Sequence, residues 1–375
     1  MSFFSDIFKN VAQHTGGSVL GIDVGSSSIK VVQLRRKDGI PVLETYGELA
    51  LGPYNNSKVG QSTVLPMDKL VEALNDLLKE ANTTTKNCGI AIPLVSSFVA
   101  SIQLPRLPAS QINAMVPIEA RKYIPVPITE VTMDWFIVPD ATDQNQISED
   151  LPNTSQSQTA KKTSVMLVAI HNNVLKQYSE IVSKAGLQAG FFEIEMISTM
   201  RSVLDEQVDT AMILDIGASA SKIYIVDRGV IQMTHLVMHG GQDISSSIAS
   251  VFNIDFDQAE KIKRNFGNNQ PDVDKNVMRL TMSVIDQILT EANLVLMNFE
   301  KHTMKNVSKV ICAGGGSEMS GFIDYAKTKI AAEVSAAAPF ERVDAPAFLN
   351  EILKKTGYSF TVAVGLALRR LQEVN

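Results

Sequence analysis

The sequence predicts an α/β protein built from two related halves. A buried strand pattern runs into the turn Asp23-Val-Gly25 and is followed by a second strand pattern. The same order of strand, acid, glycine and small residues returns at Asp215. Between and after these turns, apolar residues recur at helical spacing, as in residues 67–81. An internal repeat of this kind indicates two similar units in one chain.

The composition bounds the protein class. A chain of 375 residues, 45% apolar and 20% charged, is typical of a globular protein with two or three folding units. The net charge of −6 gives no basic footprint, so nucleic acid is not expected as a partner. Cys88 and Cys312 indicate neither a disulfide framework nor a zinc site. No apolar run reaches the roughly 18 to 20 residues of a membrane span, and no secretion leader is evident.

Two segments stand apart from the regular pattern. Residues 1–17 begin with apolar side chains at helical spacing, which predicts an amphipathic segment. Docking on its own domain, on a partner and on a membrane surface all remain open for it. Residues 141–162 are rich in Gln, Asn, Ser and Thr, which predicts a surface loop inside a domain.

The first motif with chemical meaning is GIDVGSSSIK. Consecutive N–H groups in its turn can form a nest for an anion. A carboxylate beside phosphate oxygens is repulsive unless a cation such as Mg²⁺ lies between them, so Asp23 is a candidate to hold Mg²⁺ through water. Alone, the pattern favours an ordinary hairpin, because Asp and Gly are common turn residues. The candidate ligands here are Gly21, Asp23, Gly25, Ser26, Ser27 and Ser28.

Two later motifs change that reading. Asp215 repeats the water-mediated metal role, and two facing hairpins can hold a phosphate chain from both sides. A run of glycines after the strand pattern VICA lets the backbone approach a ring without a Cβ clash, although a plain strand-to-helix turn is equally expected. The candidate ligands in these motifs are Asp215, Gly217, Ala218, Ser219, Gly314, Gly315, Gly316 and Ser317.

This order of motifs resembles the actin, heat-shock chaperone and sugar kinase superfamily. DIGASAS resembles its phosphate 2 loop, CAGGGSEMSG its adenosine motif, and EIEMISTMRSV and FTVAVGLAL its two connecting helices. The resemblance implies an actin-like (ribonuclease H-like) two-domain ATPase fold, with ATP and Mg²⁺ as cofactors. It also implies that Lys30, seven positions after Asp23, reaches the phosphates, whereas an isolated strand lysine is usually solvated.

The same resemblance assigns the adenosine and water-orienting groups. AEKIKRNFG resembles the chaperone helix that holds adenosine, with Glu260 on the ribose and Lys263 and Arg264 near the base. An ordinary charged helix face is the alternative. Gly241 is expected to lie at the same cleft. Glu195, at the start of the first connecting helix, is the candidate to orient a water, and ATP hydrolysis is expected to be slow or absent.

One segment points to a branch of the superfamily. The run from Glu119 to Pro125, Glu-Ala-Arg-Lys-Tyr-Ile-Pro, resembles a pattern of the PilM family of type IV pilus assembly proteins, and its surroundings resemble subdomain 1C of FtsA. The resemblance implies a cytoplasmic protein, peripheral to the inner membrane. It would grip the cytosolic N-terminal peptide of a PilN-like membrane protein in a groove beside subdomain 1C, and so join platform and motor components. Its membrane contact would be indirect, and self-association is possible.

An FtsA-like or actin-like filament former at the membrane is the alternative function. The domain map follows the same resemblance. Residues 18–87 and 169–208 are expected to form subdomain 1A, 88–168 subdomain 1C, 209–241 and 307–354 subdomain 2A, 242–306 subdomain 2B, and 355–375 a C-terminal helix returning to 1A.

Overall fold

A computed structural model describes residues 17–138, 162–205, 210–265 and 275–373. The chain contacts divide it into a smaller unit, Val95–Lys176, and a larger unit that holds the rest of the described residues. The predicted amphipathic segment, except residue 17, and the predicted polar loop, except residue 162, lie outside the described residues.

Strands and helices alternate as the sequence predicts. The strands are β1 Val19–Val24, β2 Ser28–Lys37, β3 Ile40–Ala50, β4 Asn87–Ile92, β5 Ser97–Pro105, β6 Val131–Val138, β7 Lys162–His171, β8 Gln188–Ile194, β9 Thr210–Ile216, β10 Ser221–Asp227, β11 Val230–Val237, β12 Lys309–Ala313 and β13 Glu333–Ala336. The α-helices are α1 Met67–Glu80, α2 Ala109–Ala120, α3 Asn172–Lys184, α4 Glu195–Val203, α5 Gly241–Phe252, α6 Phe256–Arg264, α7 Lys275–Thr303, α8 Phe322–Lys329, α9 Asn350–Thr356 and α10 Thr361–Glu373.

The larger unit contains two sheets of the same topology. Their strand orders are β3-β2-β1-β4-β8 and β11-β10-β9-β12-β13. In each sheet the first three strands are antiparallel neighbours and the remaining pairs are parallel. The repeat predicted from the two Asp turns is therefore a repeat of whole sheets.

The two predicted connecting helices, α4 and α10, pack closely against each other. A Cβ atom added to Gly365 of α10 would lie 1.9 Å from the carbonyl oxygen of Ser198 in α4. A Cβ on Gly21 of β1 would lie 2.0 Å from the carbonyl oxygen of Ala363. The close approach predicted from the small residues of α10 is confirmed. The structure gives Gly21 a packing role in mid-strand, away from the hairpin tip.

The long helix α7 needs a separate comment. By length and composition alone it could cross a membrane, whereas the sequence was expected to contain no such segment. One face of α7, which includes Ile285, Ile288 and Leu289, is buried in the core beside the second sheet. A core helix of a soluble protein passes the same length test, and α7 packs as one.

The smaller unit is a three-stranded antiparallel sheet, β5-β7-β6, whose core is shared with α2. Pro117 lies inside α2, and the structure keeps Ala109–Ala120 as one helix although the proline was expected to kink or split it. The helix starts four residues before the predicted body, which began at Asn113. β4 pairs with β1 in the first sheet, so residues 87–92 belong to the larger unit. The other subdomain boundaries stay predictions.

Candidate functional site

The two Asp hairpins form matching turns whose tips meet. The Gly25 N–H donates to the Ser28 carbonyl at 3.0 Å, and the Gly217 N–H donates to the Ala220 carbonyl at the same distance. The hydroxyl of Ser219 in one tip lies 3.1 Å from the hydroxyl of Ser26 in the other. The structure therefore brings the two predicted phosphate loops face to face.

Each hairpin also pairs its acid with a lysine on the neighbouring strand. Asp23 of β1 is opposite Lys30 of β2, and Asp215 of β9 is opposite Lys222 of β10. Burial raises the pKa of the Asp23 carboxyl to about 6, and Lys30 acts against that shift without cancelling it. Sequence reasoning selected Lys30 and missed Lys222, although both lysines stand seven positions after their aspartates. The equal spacing was the available signal.

The ammonium of Lys30 is free to serve an incoming anion. Its Nζ atom donates to the Ser28 hydroxyl at 2.7 Å and lies 3.3 Å from the half-exposed carboxylate of Glu48. Both partners lie beside the hairpin tip, and neither is a buried acid that would lock the side chain in place. This geometry fits the role expected of Lys30 in the phosphate 1 loop.

Glu195, the expected water-orienting acid, is buried and fully engaged. Its Oε1 atom accepts the backbone N–H of Leu94 at 2.7 Å. Its Oε2 atom accepts the ammonium of Lys222, also at 2.7 Å. A general base must have a lone pair directed at its water. In this structure both carboxylate oxygens are already used by the protein.

The glycine run after β12 packs directly against the second Asp hairpin. Gly314 has φ +80°, and a Cβ there would lie 2.3 Å from Oδ1 of Asp215. A Cβ on Gly316 would lie 2.3 Å from the side chain of Ile216. The glycines thus bring the expected adenosine motif to the phosphate 2 loop. Ser317 is buried, and its hydroxyl donates to the Ala313 carbonyl, so it stabilises the turn.

A cavity of about 700 Å³ opens beside this turn. Its polar wall combines the α5 start, α6 and the glycine turn, while its floor is apolar and suited to a flat ring. The lining residues are Ile216, Gly240, Gly241, Ile244, Glu260, Lys263, Arg264, Ile285, Ile288, Gly315, Gly316, Glu318, Met319 and Phe322. The expected adenosine residues Gly241, Glu260, Lys263, Arg264, Gly315 and Gly316 are therefore together in one pocket.

Glu260 organises the α6 side of that pocket. Its carboxylate lies 2.6 Å from Nζ of Lys263, 2.8 Å from Nε of Arg264 and 2.6 Å from the hydroxyl of Ser245. Burial alone would raise the pKa of Glu260, but these partners, Lys263 first, hold it below its usual value. The Lys263 ammonium also donates to the Gly241 carbonyl at 3.1 Å. The charged side chains are thus fixed around the cavity rather than spread over a solvated face.

Sequence reasoning did not select Glu318, which also lines the cavity. Burial raises the pKa of its carboxyl to about 7, and its Oε1 atom has no hydrogen-bond partner in the described part of the chain. Its only sequence signal was its place directly after the glycine run.

Comparison with known proteins places the chain. The family model described as type IV pilus assembly protein PilM matches residues 21–371. The chain belongs to this family. The PilM-like segment that suggested it lies at the end of α2, where Ile118 and Tyr123 are exposed, 64% and 46% respectively.

Solved structures show the same fold at low identity. A chain of a PilM-PilN type IV pilus biogenesis complex has a TM-score of 0.77 and 23% identity, covering 94% of this chain and 98% of that chain. MreB5 of Spiroplasma citri bound to ADP has a TM-score of 0.51 and 10% identity, covering 95% and 97%. The fold is the actin-like one that the sequence predicted.

Curated relatives include cell division proteins. FtsA of Enterococcus faecalis is 21% identical over 359 residues, which cover 86% of this chain and 79% of that protein. FtsA of Buchnera aphidicola is 28% identical over 145 residues, which cover 38% of this chain and 33% of that protein. The chain thus matches only a third of the length of the second protein.

A metal ion held by the protein was tested against the residues present. Mg²⁺ takes carboxylate, water and phosphate oxygens in octahedral geometry. Among the described residues, no group of three or more acidic, His or Cys side chains is placed to hold a metal. Between the acids Asp215 and Glu195 the structure instead places the ammonium of Lys222, at 3.4 and 2.7 Å. These side chains do not fit a directly bound cation.

Proposed function

We propose that the protein is an ATP-binding scaffold of a type IV pilus assembly platform. The observation that carries the nucleotide part is the continuous site of three elements: opposed hairpin tips, a glycine turn packed on one of them, and a cavity lined by Glu260, Lys263 and Arg264. Such a site can hold phosphates at the hairpins and a ring in the cavity.

Hydrolysis is proposed to be slow or absent. Both oxygens of Glu195 are engaged by Leu94 and Lys222, so this acid would have to lose a buried contact before it could orient a water. Nucleotide occupancy then acts by stabilising one arrangement of the site rather than by turnover.

Lys263 offers a direct test of the nucleotide site. Replacing Lys263 with Met should weaken ATP binding by about tenfold, because a buried charge-assisted contact is typically worth roughly 1.5 to 3 kcal/mol. The control is Lys261→Met, an exposed lysine on the same helix, which should bind as the wild type does. Calorimetric titration measures both. Equal ATP affinity of Lys263→Met and the wild type would contradict the site.

The proposed partner is the cytosolic N-terminal peptide of a PilN-like inner-membrane protein. Support comes from family membership, from the shared fold with the PilM-PilN complex, and from exposed apolar side chains on the smaller unit, including Val95, Ile118 and Ile137. Through that peptide the protein would lie on the cytoplasmic face of the inner membrane and connect platform and motor components. Its contact with the membrane would be indirect.

Peptide binding is testable with a pair of surface isoleucines. Ile118→Ser on the smaller unit should lower affinity for the cognate PilN-like peptide by about tenfold, as expected for an apolar anchor. Ile40→Ser, at a 56% exposed position of the larger unit, is the matched control and should leave affinity unchanged. Fluorescence anisotropy with labelled peptide measures both. The same loss in both variants, or in neither, would argue against the smaller unit as the docking surface.

The FtsA relatives keep a filament-forming function as the second candidate. Sedimentation with ATP and lipid vesicles separates the two. A scaffold should stay in the supernatant without its partner peptide, whereas a membrane filament should pellet.

A further inference from the structure

Lys222 occupies an unusual place for a lysine. It lies on β10, directly across from Asp215 on β9, and its side chain is only 16% exposed. Its Nζ atom is 2.7 Å from Oε2 of Glu195 and 3.4 Å from Oδ2 of Asp215. Both of these acids are more than nine-tenths buried. The ammonium therefore joins a connecting helix to the phosphate 2 hairpin.

Three acids act on this single ammonium. Burial alone would lower the pKa of Lys222, but Asp215, Glu195 and then Asp23 outweigh it and keep the pKa well above its usual value. An isolated buried carboxylate costs several kcal/mol, and removing the partner of a buried pair leaves that cost uncompensated. Lys222 thus provides the positive charge without which the acids of the two hairpins would repel each other and any phosphate.

We infer that the ammonium of Lys222 is a built-in cation that takes the place of a protein-held divalent ion between the two phosphate loops. An ammonium has three N–H donors, of which Glu195 and Asp215 receive two within the described part of the chain. The third is available to a phosphate oxygen. The inference rests on the proposed nucleotide site and adds that ATP binding there does not require Mg²⁺.

Lys30 shows what a different lysine does at the equivalent position. It has the same register against Asp23, but its ammonium contacts the Ser28 hydroxyl and Glu48, which is 43% exposed, rather than two buried acids. Loss of Lys30 would remove a phosphate contact. Loss of Lys222 would also leave Asp215 and Glu195 unpaired, so the two lysines differ in how Mg²⁺ can compensate for them.

The test measures ATP affinity in EDTA and in excess MgCl₂ by calorimetry on the full chain. The wild-type Kd should differ by less than about threefold between the two buffers. In Lys222→Met, ATP binding in EDTA should weaken by at least about tenfold, and MgCl₂ should restore most of it. Lys222→Arg keeps the charge and should remain independent of Mg²⁺.

Lys30→Met is the matched control, because it should weaken ATP binding equally in both buffers. Wild-type binding that is more than about tenfold weaker in EDTA would overturn the role of Lys222 and leave the nucleotide site standing. Absence of ATP binding in both buffers would overturn the proposed function itself. The wild-type comparison stands even if Lys222→Met fails to fold.

Discussion

At the scale of single residues, Asp23 shows how the site trades stability for charge. Burial raises the pKa of its carboxyl to about 6, from an ordinary value of 3.8. An acid with a raised pKa in the folded state favours folding only while it is protonated. The free energy of unfolding therefore falls as the pH rises from about 4 to about 6, and the cost is constant above that range.

Asp23→Asn should consequently stabilise the protein at neutral pH. The gain should be on the order of 1 to 3 kcal/mol at pH 7.5 and should vanish near pH 4, where the wild-type carboxyl is protonated in the folded protein. Urea unfolding at the two pH values measures it. The same gain at both values would show that the effect does not come from the ionisation of Asp23.

A second residue-scale feature fixes the first connecting helix. Glu193 of β8 is buried and accepts Arg201 at 2.7 and 2.8 Å and Arg369 at 2.8 Å. Burial alone would raise the pKa of Glu193, but the two arginines hold it below its usual value. This contribution to stability is present above the ordinary pKa and is lost as the pH falls through the lowered one. Asp23 and Glu193 thus respond to pH in opposite directions.

At the scale of elements, the crossing of α4 and α10 is what positions Glu195. Its carboxylate can reach both Leu94 and Lys222 because α4 begins at the end of β8, and α10 holds α4 in place from the other side. Gly365 makes this crossing possible, since no side chain fits between its Cα and the backbone of Ser198. A helix pair packed at backbone distance has no slack for a small displacement.

Gly365→Ala should therefore destabilise the protein although alanine favours helices. The added methyl group would have to push two backbones apart, at an expected cost of about 3 kcal/mol. Gly17→Ala is the control, because a Cβ there meets nothing within 4 Å. Thermal unfolding measures both variants. A Gly365→Ala protein as stable as the wild type would contradict the close crossing.

At the scale of the whole molecule, the part predictable from sequence is the part encoded locally and repeated. Asp23 and Asp215 were found because turn chemistry needs acids and glycines at fixed positions, and the repetition of that pattern implied two equivalent sheets. The structure confirms the fold and brings the expected hairpin and cavity residues together, while their roles as ligands stay predictions.

The rest depended on contacts between distant strands. The second role of Glu195 follows from Leu94 and Lys222 reaching it at once, which no local pattern specifies. Glu318 carries no motif of its own, and its raised pKa comes first from burial by the surrounding fold. The start of α2 was placed too late because residues 109–112 have weak apolar periodicity and follow a proline.

The most direct test of the central claim is amide hydrogen exchange of the full chain with and without ATP. The account predicts that ATP protects three separated segments together, residues 23–28, 215–219 and 314–318, and also residues 241 and 260–264 at the cavity. Those segments meet only at the proposed site, so joint protection would locate the nucleotide there. Unchanged exchange in all of them, while ATP binds or protects another surface, would contradict the claim.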